Sequence, residues 1–264
     1  MDDPLRSDKR LRRALLGGLS LLAAGCASLS EPVEEPGPLQ ADEPSLAGSA
    51  WALASQFSVA TARGNWVHRR FGSQPVTRYL AAHHEGRPAV HAVSRAGNSA
   101  LRQMLQPVDL PAGTQLRFSW WLAALNERAD LRDSEIDDAV VRMILSFDGD
   151  RSKFSARDHL LSELAHALTG EPLPDATLMY VWDHRYPVGT VIDNPHTRRI
   201  RQLVVQSGPE DLRRWVDHER DVRADFASAF GEPMPRLKGV AVMSDSNNTG
   251  ASVEAWFGPV RLEG

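Results

Sequence analysis

The chain has 264 residues, of which 42% are hydrophobic and 24% charged, with a formal net charge of -4 at pH 7. That apolar content is enough for a sizeable core in one large β domain or two small ones. A net acidic chain with no Lys-rich tract gives no support to nucleic-acid binding or to electrostatic docking on anionic lipid. The single cysteine, Cys26, cannot close an internal disulfide.

At the start, Arg6, Lys9, Arg10, Arg12 and Arg13 precede an apolar run from Ala14 to Ala24. The run is far shorter than the roughly 20 residues needed to span a bilayer, so residues 1–26 are expected to be a signal peptide. Cys26 follows small residues in a pattern that resembles the lipobox of bacterial lipoproteins, although Ala23 stands three before it, where Leu is commoner. The resemblance implies that Cys26 becomes the lipid-modified first residue, and that Ala27 after it directs the protein to the outer membrane, facing the periplasm. The alternative is ordinary cleavage after Ala27. Without residues 1–26 the chain keeps 25 basic against 31 acidic residues, a net charge near -6, so membrane attachment would come from the acyl chains. Residues 27–50 carry Pro32, Pro36, Pro38 and Pro44 among acids and read as a semi-extended tether.

From residue 51 to 264 short apolar segments alternate with Gly, Pro, Asp and Asn turns. Eleven are strand-like: Phe57 to Ala60, Trp66 to Phe71, Pro88 to Ser94, Leu101 to Leu105, Gln115 to Ala124, Ala139 to Asp148, Thr177 to His184, Arg198 to Gln206, Trp215 to Arg220, Leu237 to Ser244 and Ser252 to Leu262. This spacing predicts a mainly all-β domain, an antiparallel β-sandwich or jelly roll. Period-two alternation puts Leu116, Phe118, Trp120 and Leu122 on one face, and Val141, Met143, Leu145 and Phe147 on another. The runs around Leu178 and Arg201 have no clean apolar and polar sides, so those strands sit between two layers or line a groove. Two helices are expected, Asp158 to Thr169 behind an Asp158 cap and stopped by Gly170, and Asp221 to Phe230 stopped by Gly231.

The phrases DDAVVRMILSFDGD from Asp137, LMYVWDHR from Leu178, RRIRQLVVQSG from Arg198, WVDHERDVRADFASAFGE from Trp215 and GVAVMSDSNNTGASVEAWFGPVRL from Gly239 resemble a bacterial family of exported proteins catalogued as a domain of unknown function. The likeness covers roughly residues 52 to 263. The last phrase also resembles the closing strands of galactose-binding-like jelly rolls, the fold of many carbohydrate-binding modules. This implies a fold and, loosely, a glycan ligand, and assigns no catalytic residue.

Trp121, Arg142, Tyr180, Trp182 and Arg201 are the candidate ligand-binding set, because planar rings and guanidinium groups on one sheet face suit a sugar's C–H face and hydroxyls. Against that stands burial of the rings in the core. Asp137, Asp138, Asp148 and Asp183 are the candidates for paired carboxylates in an envelope glycan hydrolase or lyase, against solvated or turn-forming roles. Asp245, Asn247 and Asn248 offer oxygens for a structural calcium ion, against a polar hairpin; no other cofactor is implied. The histidines, including His83, His84, His159, His166, His184 and His196, show no zinc spacing, and no serine elbow or phosphate loop occurs. The expectation is a lipid-anchored, non-catalytic glycan binder of the bacterial envelope. An envelope enzyme and an assembly lipoprotein that binds another protein are the alternatives.

Overall fold

Alternating side chains fold the described chain into fourteen strands: β1 (Gln56–Phe57), β2 (Ala62–Arg70), β3 (Arg78–His84), β4 (Arg87–Arg95), β5 (Ser99–Val108), β6 (Gln115–Leu122), β7 (Arg142–Asp148), β8 (Ala176–Asp183), β9 (Val191–Asp193), β10 (Ile200–Ser207), β11 (Val216–Asp221), β12 (Arg236–Met243), β13 (Ser252–Phe257) and β14 (Arg261–Glu263). Three helices join them: α1 (Ala50–Ala54), α2 (Ala156–Thr169) and α3 (Val222–Phe230). This is a computed structural model, and it describes residues 46–71, 73–194 and 197–264. The signal segment, Cys26, His196 and the tether up to residue 45 lie outside the described residues.

The strands form two seven-stranded sheets. The first runs β1-β14-β6-β13-β4-β3, with β11 also on β6. Since β11 covers residues 115–120 of β6 continuously, β13 and β14 share the opposite edge of that strand. The second runs β2-β5-β12-β7-β8-β10-β9. The domain is a mainly β sandwich, but two of its pairs, β1 with β14 and β8 with β10, are parallel. The second pair has a simple cause. After β8 the chain skips one strand position to lay down β9, and the β9–β10 hairpin then fills the gap, so β10 runs alongside β8 in the same direction.

The predicted inner faces meet in one core. Leu116, Phe118, Trp120 and Leu122 of β6 pack with Met143, Leu145 and Phe147 of β7 and Leu178, Tyr180 and Trp182 of β8. Phe118 of one sheet stacks on Tyr180 of the other at 5.7 Å. Each such ring removed from water contributes roughly 1.5–3 kcal/mol. On the opposite side of β8, Val181 joins Leu131, Ala139, Ile192 and Val204 in a second cluster. That explains the mixed pattern of this strand: it lies between two apolar layers. Leu46 and Trp51 also belong to the core, and the Trp51 indole donates to the Gly258 carbonyl at 2.8 Å.

Both expected helices form. The cap of α2 is Ser155, three residues before Asp158, and the two side chains exchange hydrogen bonds with each other's backbone N–H in a capping box. Its predicted apolar face is only partly used, since Leu160 and Leu164 are exposed. The buried side is polar: Asp158 accepts from Thr197 at 2.5 Å and Ser162 from Arg151 at 2.6 Å. The α3 helix is capped by Asp221 and ends at Gly231 in a left-handed conformation.

His218 of β11 lies against Phe118 and Trp120, with ring centroids 5.0 and 4.8 Å away. Burial lowers its pKa to about 4. Between that value and the ordinary pKa near 6.5 the unfolded chain binds a proton that the folded chain refuses, so this stability is fully present above pH 6.5 and is lost as pH falls toward 4. Urea unfolding of wild type is expected to lose about 2–3 kcal/mol between pH 7.5 and 4.5 through this residue, and His218→Phe to remove that part of the slope.

Candidate functional site

Six of the sequence candidates converge on one hydrogen-bonded network, and it is a structural clasp. Arg142, 5% exposed, projects from the outer face of β7. It donates from Nε to Asp245 Oδ1 at 2.8 Å and from Nη2 to Asp245 Oδ2 at 3.0 Å, and also bonds the Gln202 side chain and the Asp137 carbonyl. Burial pushes the Asp245 carboxyl up, against the pull of the Arg142 guanidinium. Beside this pair, Asp138 accepts from the backbone of Asn248 at 3.1 Å and of Thr249 at 2.7 Å, and from the Thr249 hydroxyl at 2.6 Å. Asn248 donates to Asp137 at 2.6 Å and to Ser134 O at 3.0 Å, and Asn247 bonds Asn248. The Asp245 carboxylate and the Asn248 side-chain oxygen thus accept from protein donors. Among the described residues no group of three or more His, Cys, Asp or Glu is placed to hold a metal ion.

The remaining candidates do not form the single ligand face expected from the sequence. Tyr180 and Trp182 are core residues: the Tyr180 hydroxyl donates to Asp225 at 2.9 Å and the Trp182 indole to Gly208 O at 2.9 Å. Burial raises the Tyr180 pKa well above its ordinary value, which keeps the phenol a donor. Arg201 stands on β10 opposite Leu178 of β8, 3.2 Å from Asp193 and over Phe230. Trp121 alone of the three rings lies on the outer face of the first sheet. Of the carboxylates, Asp183 accepts from the backbone of Arg185 and Tyr186, both at 2.6 Å, as a turn-former. Asp148 pairs with Arg236 at 2.5 Å. The four acids do not face a common cleft.

A groove does exist where Arg117 and Ser119 of β6 point outward. Alternation that sends Phe118 and Trp120 inward puts these two on the outer face, and register sets Glu219 and Asp217 of β11 directly opposite them. Arg261 of β14 lies opposite Arg117 from the other edge, and Arg87 reaches across from β4 to Asp217 with contacts of 2.5 and 3.1 Å. Arg117 also bonds Glu219 at 3.2 Å and pairs with Glu263 at 3.3 Å. Arg87, Arg117, Ser119, Asp217, Glu219 and Arg261, but not Glu263, line a cavity of about 610 Å³. The chain crosses it closely at Gly258, where an added Cβ would meet Ser119 Oγ at 2.1 Å. Arg87, Arg117 and Arg261 face Asp217 and Glu219 in this lining, and Glu263 pairs with Arg117 just outside it.

A cluster of rings adjoins it. Trp215 donates from its indole to His84 O at 3.1 Å, with the Arg87 guanidinium 5.3 Å from the ring. His84 and His91 both stack on Trp256, at 4.1 and 4.2 Å, and Trp121 meets Trp256 edge-on at 5.0 Å. The buried nitrogens Trp121 Nε1 and His84 Nε2 make no hydrogen bond among the described residues. Sequence reasoning reached Trp121 and missed Arg87, Trp215, Asp217, Glu219 and Trp256. The alternation of β13, with Ala255 and Phe257 inward and Trp256 outward, was the available signal for the last of these.

The fold and the groove define a two-sheet all-β domain with fixed donors, acceptors and rings on one outer face. Residues 64–261 match the family described as protein of unknown function DUF3047, and the chain belongs to that family. No curated protein matches it.

Asp138→Asn keeps one acceptor oxygen and loses the charge that three donors share. It is expected to destabilise the fold by about 1–3 kcal/mol in urea unfolding, with the m-value unchanged.

Proposed function

We propose that this protein binds a neutral glycan or related envelope polysaccharide in the groove between β6, β11 and β14, without turning it over. The observation that carries the reading is the juxtaposition of the Arg87–Asp217 and Arg117–Glu219 pairs with the Trp215 ring. Paired guanidinium and carboxylate groups present oriented donors and acceptors to hydroxyls, and an indole offers a π-face to a sugar's C–H surface. The pairing of Arg87 with Asp217, and of Arg117 with Glu219 and Glu263, suits a neutral ligand better than a polyanion. The engagement of Asp137, Asp138, Asp148 and Asp183 in structural contacts supports a binding role over hydrolysis. The proposal includes the export signal, the acylated Cys26 and attachment to the outer membrane facing the periplasm. In that setting the domain would hold an envelope polymer close to the membrane.

Titration of the purified protein with a panel of bacterial and plant polysaccharides is expected to show saturable binding and no released reducing sugar. Trp215→Ala and Arg87→Ala should each weaken binding by about tenfold, the loss of one aromatic or charge-assisted contact, while the unfolding midpoint stays close to wild type. Sugar release would contradict the non-catalytic reading. Unchanged affinity in both variants would remove the groove as the site.

A further inference from the structure

On the other outer face, that of the second sheet, the β12 strand contains a bulge between Leu237 and Gly239, seen against both β5 and β7. Its effect can be traced along the strand. Val242 and Val240 point into the core, while Met243 and Ala241 point outward. Unbroken alternation would then send Lys238 into the core and Leu237 into solvent. The bulge reverses this, so that Leu237 is fully buried in the core and Lys238 emerges on the outer face. A glycine follows because a Cβ at position 239 would meet Ser146 Oγ at 2.9 Å.

Lys238 opens into a groove of about 340 Å³, at the low end of small-molecule sites. The floor is apolar: Ala100, Ala241 and Met243 pack together with Phe71 and Ile144. The roof is the segment after α2, including Leu173. Met104, Met179 and Met243 bring flexible thioethers to the same space, which suits a chain that bends.

The charge around the groove is lopsided. Arg69, Arg102 and Lys238 line the groove with Glu171. Glu171 takes two bonds from Arg102, at 2.7 and 2.9 Å, and lies 3.7 Å from Arg69. Arg102 Nε is buried without a hydrogen bond. Lys238 makes no ion pair or hydrogen bond among the described residues: Asp148, the other nearby acid, is held by Arg236, and Arg151 adds further positive charge. Burial lowers the pKa of the half-buried Lys238 ammonium.

An apolar slot beside a half-buried ammonium that makes no ion pair among the described residues is complementary to one chemistry. We infer that this groove binds a single-chain amphiphile, an apolar tail of modest length with an anionic head, whose head pairs with Lys238 and whose tail lies over Ala241 and Ile144. The site is independent of the glycan groove on the opposite sheet.

Calorimetric titration of the full chain with decanoate, decyl phosphate, decanol and decyltrimethylammonium tests this. The two anions should bind saturably and at least about tenfold more tightly than the cation, as expected for one charge-assisted bond. Lys238→Met should reduce the affinity for decanoate to that for decanol, and Ile144→Trp, which fills the slot, should weaken every ligand. Equal binding of anion and cation by the wild type would overturn the inference without reliance on any variant. So would unchanged decanoate affinity in Lys238→Met, or binding to anionic phospholipid vesicles with none to the monomeric anions.

Discussion

The buried pair of Arg142 and Asp245 is the constraint on which the arrangement of the second sheet depends. Arg142 stands on β7, Asp245 follows β12, Gln202 belongs to β10, and the Asp137 carbonyl closes the loop that leads into β7. One guanidinium therefore joins two strands and two loops on the side of the sheet away from the main core. Removing two charges from water is costly, and the geometry offsets that cost only because almost every donor is used. The adjoining loop after β12 is held in turn by Asp138, so residues far apart in sequence, such as Asn126 and Thr249, come into contact at 2.9 Å.

This clasp also explains why the site was harder to read in the sequence than the fold. Strand alternation is a local property, and the inner faces of β6 and β7 were legible because Phe118, Trp120, Met143 and Leu145 repeat at every second residue. The caps of α2 and α3 were legible for the same reason, apart from the shift of the first from Asp158 to Ser155. Strand β3 escaped notice because a charged start at Arg78 and the exposed His83 mask its alternation, and β9 is three residues long. The parallel β8–β10 pair could not be seen at all, since direction depends on which strand position the chain skips.

The polar candidates failed as a set because residue type does not report a partner. Asp137, Asp138, Arg142, Asp245 and Asn248 have the chemistry of an active site or a calcium loop, and in the fold they satisfy one another. Tyr180 and Trp182 have the chemistry of a sugar platform, but the sheet turns them inward. The groove that does open, on the first sheet, is assembled from β4, β6, β11 and β14, with each side chain placed by register rather than by any motif. Lys238 shows the same dependence, because a single bulge decides whether it faces core or solvent. The two outer faces thus differ: ion-paired arginines with rings beside them on one sheet, an apolar floor with a half-buried lysine on the other.

The most direct test of the clasp is a double-mutant cycle on Arg142 and Asp245 in urea unfolding, with glycan binding measured on the same proteins. Arg142→Met and Asp245→Leu should each cost about 3–5 kcal/mol, because each strands a buried charge, and the double variant should cost far less than their sum while binding stays at the wild-type level. Additive losses, or a loss of binding in variants of unchanged stability, would contradict the account and make these two residues part of a ligand site.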